Sequence, residues 1–363
     1  MAVMNLADFS YELPRERIAQ RPLAERDASR LLLLDRSSGK WEDGRFGELA
    51  QLVRGDELIV INNTRVLPAR LFGRRRGVRA EPISPSSRLR RQYLTAPIEV
   101  LLARRVGPDE TWEALVRPGR KVRVGEVLVF GEGELEAEVV GRADYGLRTL
   151  RFRSEGEFTT TVERLGHVPL PPYVDRDDEP ADRERYQTVF ARAGAAVAAP
   201  TAGLHFTPAV LEALRARGCE LVELTLDVGY GTFQPIHTET VEAHRIHPEE
   251  YEIPAATAAA VERAHAAGRP VLAVGTTVVR ALEDSAARHG RVTAGREAAS
   301  IYIYPGHKFR AVDQLLTNFH LPRSSLLVLV CAFAGRENVL AAYRHAVEQN
   351  YRFYSYGDCM LIR

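Results

Sequence analysis

The chain has 363 residues, of which 45% are hydrophobic, and a formal net charge of +1. That length and apolar content predict two domains that bury their own cores, while near neutrality excludes a global field for nucleic acid and leaves any polyanion to a local patch. Cys219, Cys331 and Cys359 are far apart and form no C-x-x-C pair, which argues against a disulfide framework and a thiolate zinc site; with no apolar run of membrane-spanning length, we expect a soluble, cytoplasmic protein.

The segment up to about Arg65 carries two apolar strands, Leu31–Leu34 and Leu58–Ile61. Short extended runs follow at Val66–Phe72, Ile98–Arg105, Trp112–Arg117, Glu126–Phe130, Leu135–Val140 and Leu147–Arg153. In the last of these Leu150 and Phe152 alternate with Arg151 and Arg153, so one face is buried and one is wet. Such a series predicts a small six-stranded antiparallel β-barrel at residues 66–153, inserted into a larger domain made of residues 1–65 and 154–363. Arg70–Arg91 holds eight arginines, among them Arg74, Arg75, Arg76, Arg90 and Arg91, against the single acid Glu81. It reads as a flexible basic loop near residues 73–92, either simply solvated or a phosphate-contacting arm.

After Arg153 strands alternate with helices, the pattern of an α/β fold with a parallel or mostly parallel sheet covered by helices. Thr207 and Pro208 open a helix that Gly218 closes, and strand Leu221–Val228 follows. Helix Ala255–Ala267 leads to strand Val271–Val274, and a helix from Thr276 to Gly290 leads to strand Ala299–Tyr304. The apolar run Leu326–Ala334 reads as another strand, with a helix starting near Arg336 and a tyrosine-rich end, Tyr351–Ile362.

Several loops have pocket composition. Ala198–Phe206 reads Ala-Ala-Pro-Thr-Ala-Gly-Leu-His-Phe, where small residues such as Gly203 admit a ligand to the backbone and Thr201, His205 and Phe206 supply a hydroxyl, a base and a stacking face. Gly229–Phe233 places Gly229, Tyr230, Gly231, Thr232 and Phe233 after a strand. Gly275, Thr276 and Thr277 end one strand and start a helix, where free amides favour an anion, and Arg280 follows one turn on. Tyr304 and Gly306 lie in Ile-Tyr-Pro-Gly, Asn318 and His320 in Thr-Asn-Phe-His-Leu-Pro, and Arg352, Tyr356 and Asp358 in Tyr-Arg-Phe-Tyr-Ser-Tyr-Gly-Asp. His237, His244 and His247 invite a metal reading, but Pro248 disfavours a helix through His247 and no H-E-x-x-H pattern supplies a base.

Together these loops, with Asn62–Arg70 and Trp112–Gly119, closely resemble the S-adenosylmethionine:tRNA ribosyltransferase-isomerases of queuosine synthesis, from Asp8 to the C-terminus. The arginine-rich stretch looks longer than is usual there, and Asp227 stands where a histidine is expected. The resemblance implies S-adenosylmethionine as co-substrate, no metal, and a tRNA partner whose wobble base is 7-aminomethyl-7-deazaguanine. The ribosyl group would move onto the aminomethyl group, giving epoxyqueuosine, with adenine and methionine released. For that reaction His205 and His320 are both candidate bases and Asp358 a candidate orienting partner, with Phe206, Tyr230 or Phe233 stacking on adenine and facing the sulfonium. The Gly275–Thr277 turn would take the methionine carboxylate, and the barrel and arginine loop would hold RNA phosphates; we expect a monomer. The competing expectations are a metal-dependent hydrolase using His237, His244 and His247, and a non-catalytic RNA-binding protein.

Overall fold

The protein is described by a computed structural model at residues 3–76, 97–107, 109–119, 122–143, 146–229, 236 and 238–363. In chain order the strands are β1 (Arg30–Leu34), β2 (Trp41–Arg45), β3 (Leu58–Asn62), β4 (Thr64–Val66), β5 (Arg70–Arg75), β6 (Ile98–Gly107), β7 (Thr111–Arg117), β8 (Val127–Phe130), β9 (Leu135–Arg142), β10 (Arg148–Ser154), β11 (Ala193–Ala196), β12 (Glu220–Leu226), β13 (Glu249–Ile253), β14 (Val271–Val274), β15 (Gly295–Ala299), β16 (Gln314–Asn318) and β17 (Cys359–Ile362). The helices are α1 (Leu49–Leu52), α2 (Phe158–Leu165), α3 (Asp182–Arg185), α4 (Pro208–Arg217), α5 (Ala255–Ala266), α6 (Thr276–His289), α7 (Ser325–Ala334) and α8 (Arg336–Glu348). They form two compact units, one of Met1–Arg65, Pro171–Asp177 and Glu184–Arg363, the other of Val66–Leu170 and Asp178–Arg183.

The larger unit is built on a nine-stranded sheet in the order β15-β13-β12-β3-β14-β16-β17-β1-β2. Its central strands β12, β3, β14 and β16 run parallel. Antiparallel pairs flank them at β13 and β15 on one side and at β17 and β2 on the other, so the sheet is mixed. Alternation along the strands feeds two cores. Leu32, Leu34, Leu58 and Val60 enter one, with Val261, Val278, Leu282, Leu327 and Val339 of α5 to α8. Leu31, Leu33, Ile59 and Ile61 enter the other, with Leu49, Val210 and Leu214 of α1 and α4. A sheet buried on both faces needs apolar residues at every position, which is why β1 reads as a continuous run of leucines.

Two elements differ from the sequence expectation. Leu326–Ala334 is not a strand but lies within the helix α7, capped by Ser324, whose Oγ accepts from Leu327 N at 3.2 Å, and ended by Gly335 at φ +84°. It is apolar all round because nearly all of it is buried, and without a polar face helical periodicity disappears from the sequence. The strand expected at Ala299–Tyr304 instead ends at Ala299: it is Gly295–Ala299, paired with β13. No single helix among the described residues is long and apolar enough to cross a membrane; α7 and α8 pass that test only as a pair bent by 116°.

The second unit closes β10-β7-β6-β5-β8-β9 into an antiparallel barrel. Val100 and Leu102 of β6, Ala114 and Val116 of β7, and Leu135, Ala137 and Val139 of β9 alternate into its interior. Arg74 and Arg75 lie on β5 rather than in a loop, and Arg76 follows directly. Arg75 faces Glu126 at 4.0 Å and Arg76 pairs with Glu136, which corrects the reading of this trio as a free basic arm. Arg90 and Arg91 lie outside the described residues.

Candidate active site

In the larger unit the ends of β14 and β16, the turn Thr201–His205 and the segment Tyr354–Ser355 enclose a cavity of about 350 Å³, within the size range of small-molecule sites. Its wall is formed by Ala198–Ala202, Val228, Gly275–Thr277, Thr317–Ser324, Leu326, Pro172, Tyr173, Tyr354 and Ser355. Of the residues singled out in the sequence, Thr201, Gly275, Thr276, Thr277, Asn318 and His320 converge here.

Gly275 turns the chain from β14 into α6 with φ +95°, a conformation that side chains rarely adopt, and its N–H donates to Leu316 O at 2.8 Å. The first N–H groups of α6 lack helical partners by geometry and point where the helix dipole favours negative charge. Beside them the Thr277 hydroxyl oxygen is buried without a hydrogen-bond partner. A buried donor left unpaired costs about 1–3 kcal/mol, a cost that an incoming acceptor oxygen at this rim would remove.

Asn318 Nδ2 donates to Tyr354 O at 2.9 Å, and its side chain also hydrogen-bonds His205. His320 is 8% exposed and set by three contacts. Its Nε2 lies 2.9 Å from Thr317 Oγ1, its backbone N–H donates to Tyr343 Oη at 3.1 Å, and its carbonyl accepts from Tyr11 Oη at 2.5 Å. Burial pushes the imidazole down to about 3, so at neutral pH the ring is an uncharged proton acceptor. Tyr173 and Tyr354 stack with centroids 4.2 Å apart on the same wall, and the Tyr173 hydroxyl meets Ser355 Oγ at 2.6 Å. Tyr354 holds φ +72°, strained for a tyrosine and fixed by its bonds to Asn318 and to Phe319 O. Nothing in the sequence separated Tyr173, behind Pro171 and Pro172, from an ordinary core tyrosine.

Other expected site residues lie elsewhere. Phe206 is fully buried, with Phe46 and Phe190 edge-on at 5.0 and 5.9 Å, so no ring face remains for adenine and that expectation is corrected. Gly203 is a packing glycine, since a Cβ there would come within 2.8 Å of Phe190 and Thr188. His205 lines a separate notch with Tyr356. Its Nδ1 is 2.7 Å from Ser29 Oγ and its side chain also meets Asn318 of the cavity wall; burial, opposed by the Asn318 hydrogen bond, pushes it down to about 4. Asp358 orients neither histidine: its carboxylate accepts from Arg30 N at 2.9 Å and Arg352 N at 2.8 Å, tying β1 to the terminal segment. The Arg352 guanidinium donates to Arg21 O, outside the cavity wall.

Arg280 is buried on α6 and pairs with Glu249, whose Oε1 accepts from Gly229 N at 3.0 Å, so it anchors Gly229 and is not a cavity residue. Tyr230, Gly231, Thr232, Phe233 and His237 lie outside the described residues. Tyr304 and Gly306 belong to a segment away from the cavity wall, braced by Glu283 of α6. Asp227 accepts from Thr64 Oγ1 at 2.7 Å and Ala195 N at 2.9 Å, a joint between neighbouring segments. Among the described residues no three His, Cys, Asp or Glu side chains gather into a metal site. His244 packs on Tyr302 and the His247 carbonyl accepts from Arg280.

Comparison with known proteins gives this geometry a family. A family model described as "Queuosine biosynthesis protein" matches residues 6–362. The chain is 54% identical to the S-adenosylmethionine:tRNA ribosyltransferase-isomerase of Solibacter usitatus, over 99% of this chain and 100% of that one. It is 50% identical to the enzyme of the same name from Moorella thermoacetica, with the same coverage. A crystal structure of S-adenosylmethionine tRNA ribosyltransferase from Thermotoga maritima matches with TM-score 0.53 and 35% identity over 98% of this chain and 100% of that one. With both the family model and such relatives running along essentially its whole length, the chain belongs to the queuosine biosynthesis protein family.

Proposed function

We propose that this protein is an S-adenosylmethionine:tRNA ribosyltransferase-isomerase, which moves the ribosyl part of its co-substrate onto the aminomethyl group of 7-aminomethyl-7-deazaguanine in the tRNA wobble position. The products are epoxyqueuosine-tRNA, adenine and methionine. The relatives' names support the activity, and one observation supports the location: a single cavity joins a helix N-terminus with an unpaired buried hydroxyl, an aromatic wall and a neutral buried imidazole.

S-adenosylmethionine supplies a sulfonium that acidifies the neighbouring 5′ protons. Against it, the amides of Thr276 and Thr277 and the Thr277 hydroxyl bind the methionine carboxylate. Tyr173 and Tyr354 offer ring faces to adenine and to the cation, a contact worth about 0.5–2 kcal/mol. His320 is the base. Its Nε2 faces Thr317, whose hydroxyl also reaches Asn318 O at 3.4 Å; if Nε2–H donates to that hydroxyl, Nδ1 is left with a free lone pair. Leu321, Pro322 and Leu326 supply the apolar side of the cavity. An anticodon loop offers its wobble base unstacked, so no duplex has to be opened. The reading carries with it a cytoplasmic monomer that acts without a metal.

The test incubates the purified protein with S-adenosylmethionine and tRNA carrying the modified base, in chelator, and follows products by mass spectrometry. Adenine, methionine and a heavier nucleoside in equal amounts are expected. Failure to form them with intact, folded protein would reject the assignment.

A further inference from the structure

The notch on the far side of His205 is lined by Arg26, Arg185, Ser29, His205, Tyr356 and Gly357 and has room for about 20 Å³, enough for one oxygen-sized group. Two guanidinium groups meet there, and among the described residues neither forms an ion pair with a carboxylate, although the Glu184 charge acts on Arg26 from nearby. Each is held by backbone carbonyls instead: Arg26 donates to Leu204 O at 3.1 Å and Glu184 O at 2.8 Å, and Arg185 donates to Ala24 O at 2.7 Å. Carbonyl anchoring fixes the position of the forks without neutralising them. Arg185 Nε is buried and unpartnered; burial, joined by repulsion from Arg185 and partly offset by Glu184, holds Arg26 below its ordinary range. Glu25 at the notch is the acid in its lining, and it forms no pair with them.

The notch is coupled to the cavity by shared walls. Ser355 lines both, and the turn Thr201–His205 contributes Thr201 and Ala202 to the cavity and Leu204 and His205 to the notch. Three residues of such a turn advance about 6 Å, a separation on the scale of one nucleotide.

We propose that this notch is a phosphate subsite: one non-bridging oxygen of the RNA backbone, beside the nucleotide seated in the cavity, enters it and is bound by Arg26 and Arg185. Arginine forks match phosphate oxygens, a fixed pair pays little ordering cost on binding, and the anion relieves the repulsion between the two cations. A guanidinium pair at a fixed distance from the cavity would set which nucleotide of an unstacked loop is presented to the reacting group. This rests on the proposed reaction with tRNA, but concerns residues outside the cavity wall.

The test is a double cycle between protein and RNA. Arg26→Gln, Arg185→Gln and the double variant are compared with the parent for binding of the modified anticodon stem-loop and of S-adenosylmethionine, and RNAs with a single neutral methylphosphonate linkage next to the wobble nucleotide are tested against each. Each single variant should weaken RNA binding about tenfold and make the slope of log K against log salt shallower by about 0.7, the contribution of one single-strand phosphate. S-adenosylmethionine affinity should be unchanged. The neutral linkage should weaken binding to the parent about tenfold and have no further effect on the double variant, a coupling that loss of folded protein cannot imitate. Additive losses, an unchanged salt slope, or an equal fall in S-adenosylmethionine affinity would each overturn the subsite. Loss of the reaction itself would show instead as absence of product with the parent protein, which separates failure of the functional reading from failure of this one.

Discussion

At the scale of single side chains, the roles proposed for His320 and Thr277 each make a prediction that separates function from folding. Thr277 Oγ1 has no partner inside the protein, so Thr277→Val removes no internal hydrogen bond. Thermal stability should be unchanged or slightly raised, while S-adenosylmethionine binding weakens by about 1 kcal/mol, roughly fivefold, by calorimetry. A loss of stability without a loss of affinity would mean that the hydroxyl serves the fold. If His320 is the base, His320→Ala should lower kcat by about 10²-fold or more with a small change in co-substrate affinity, whereas His205→Ala, outside the cavity wall, should retain far more turnover. The reverse order would transfer the role to His205. The sequence marked both histidines but gave no means to choose, because burial and neighbours come from segments far away in the chain: Ser29 for one, Tyr11 and Tyr343 for the other. Phe206 was misjudged for the same reason. An aromatic residue after small residues reads alike whether its ring faces a ligand or Phe46.

At the scale of elements, α6 organises much of the larger unit. Its first turn borders the cavity, Arg280 on the next turn pins Gly229 through Glu249, and Glu283 beyond it gathers the segment before β16. The Glu283 carboxylate is fully buried and accepts from Arg310, Ala311 and Val312 N–H groups at 2.9–3.1 Å, with His307 Nε2 at 3.2 Å. Glu283→Ala would strand those amides, so unfolding free energy should fall by about 3–5 kcal/mol in denaturant titration; a loss below about 1 kcal/mol would show that water replaces the carboxylate. Thr276 to Gly290 was legible in the sequence as a helix, but the buried charges of Arg280 and Glu283 were not assigned as braces, since partners are visible only after folding. The barrel and most strands were legible from period-two alternation, because one wet face leaves its mark on the sequence. The helix α7 was not: Leu326–Ala334 is enclosed by the core, and burial on every side erases the contrast that tells helix from strand.

For the whole molecule, the two buried neutral histidines tie stability of the larger unit to pH. In the folded protein they titrate near 3 and 4, while in the unfolded chain each returns to about 6.5. Between those values the unfolded state binds more protons, so unfolding free energy rises with pH. The stabilisation is complete above about 6.5 and is lost as pH falls toward the folded values. From pH 7.5 to 5 each histidine should remove about 2 kcal/mol. The smaller unit contains one histidine, His167, which is 45% exposed at its side chain, so it holds no buried imidazole. The two tryptophans divide between the units, Trp41 in the larger and Trp112 in the smaller, and report on them separately. In a Trp112→Phe background the Trp41 denaturant midpoint should drop steeply between pH 7.5 and 5, and adding His320→Asn should flatten that dependence by about 1.4 kcal/mol per pH unit at its acid end. The Trp112 midpoint, measured in a Trp41→Phe background, should change less over the same range. If His320→Asn left the Trp41 slope as steep as before, the imidazole would be charged in the folded protein, and its role as a neutral proton acceptor in the cavity would fall with it.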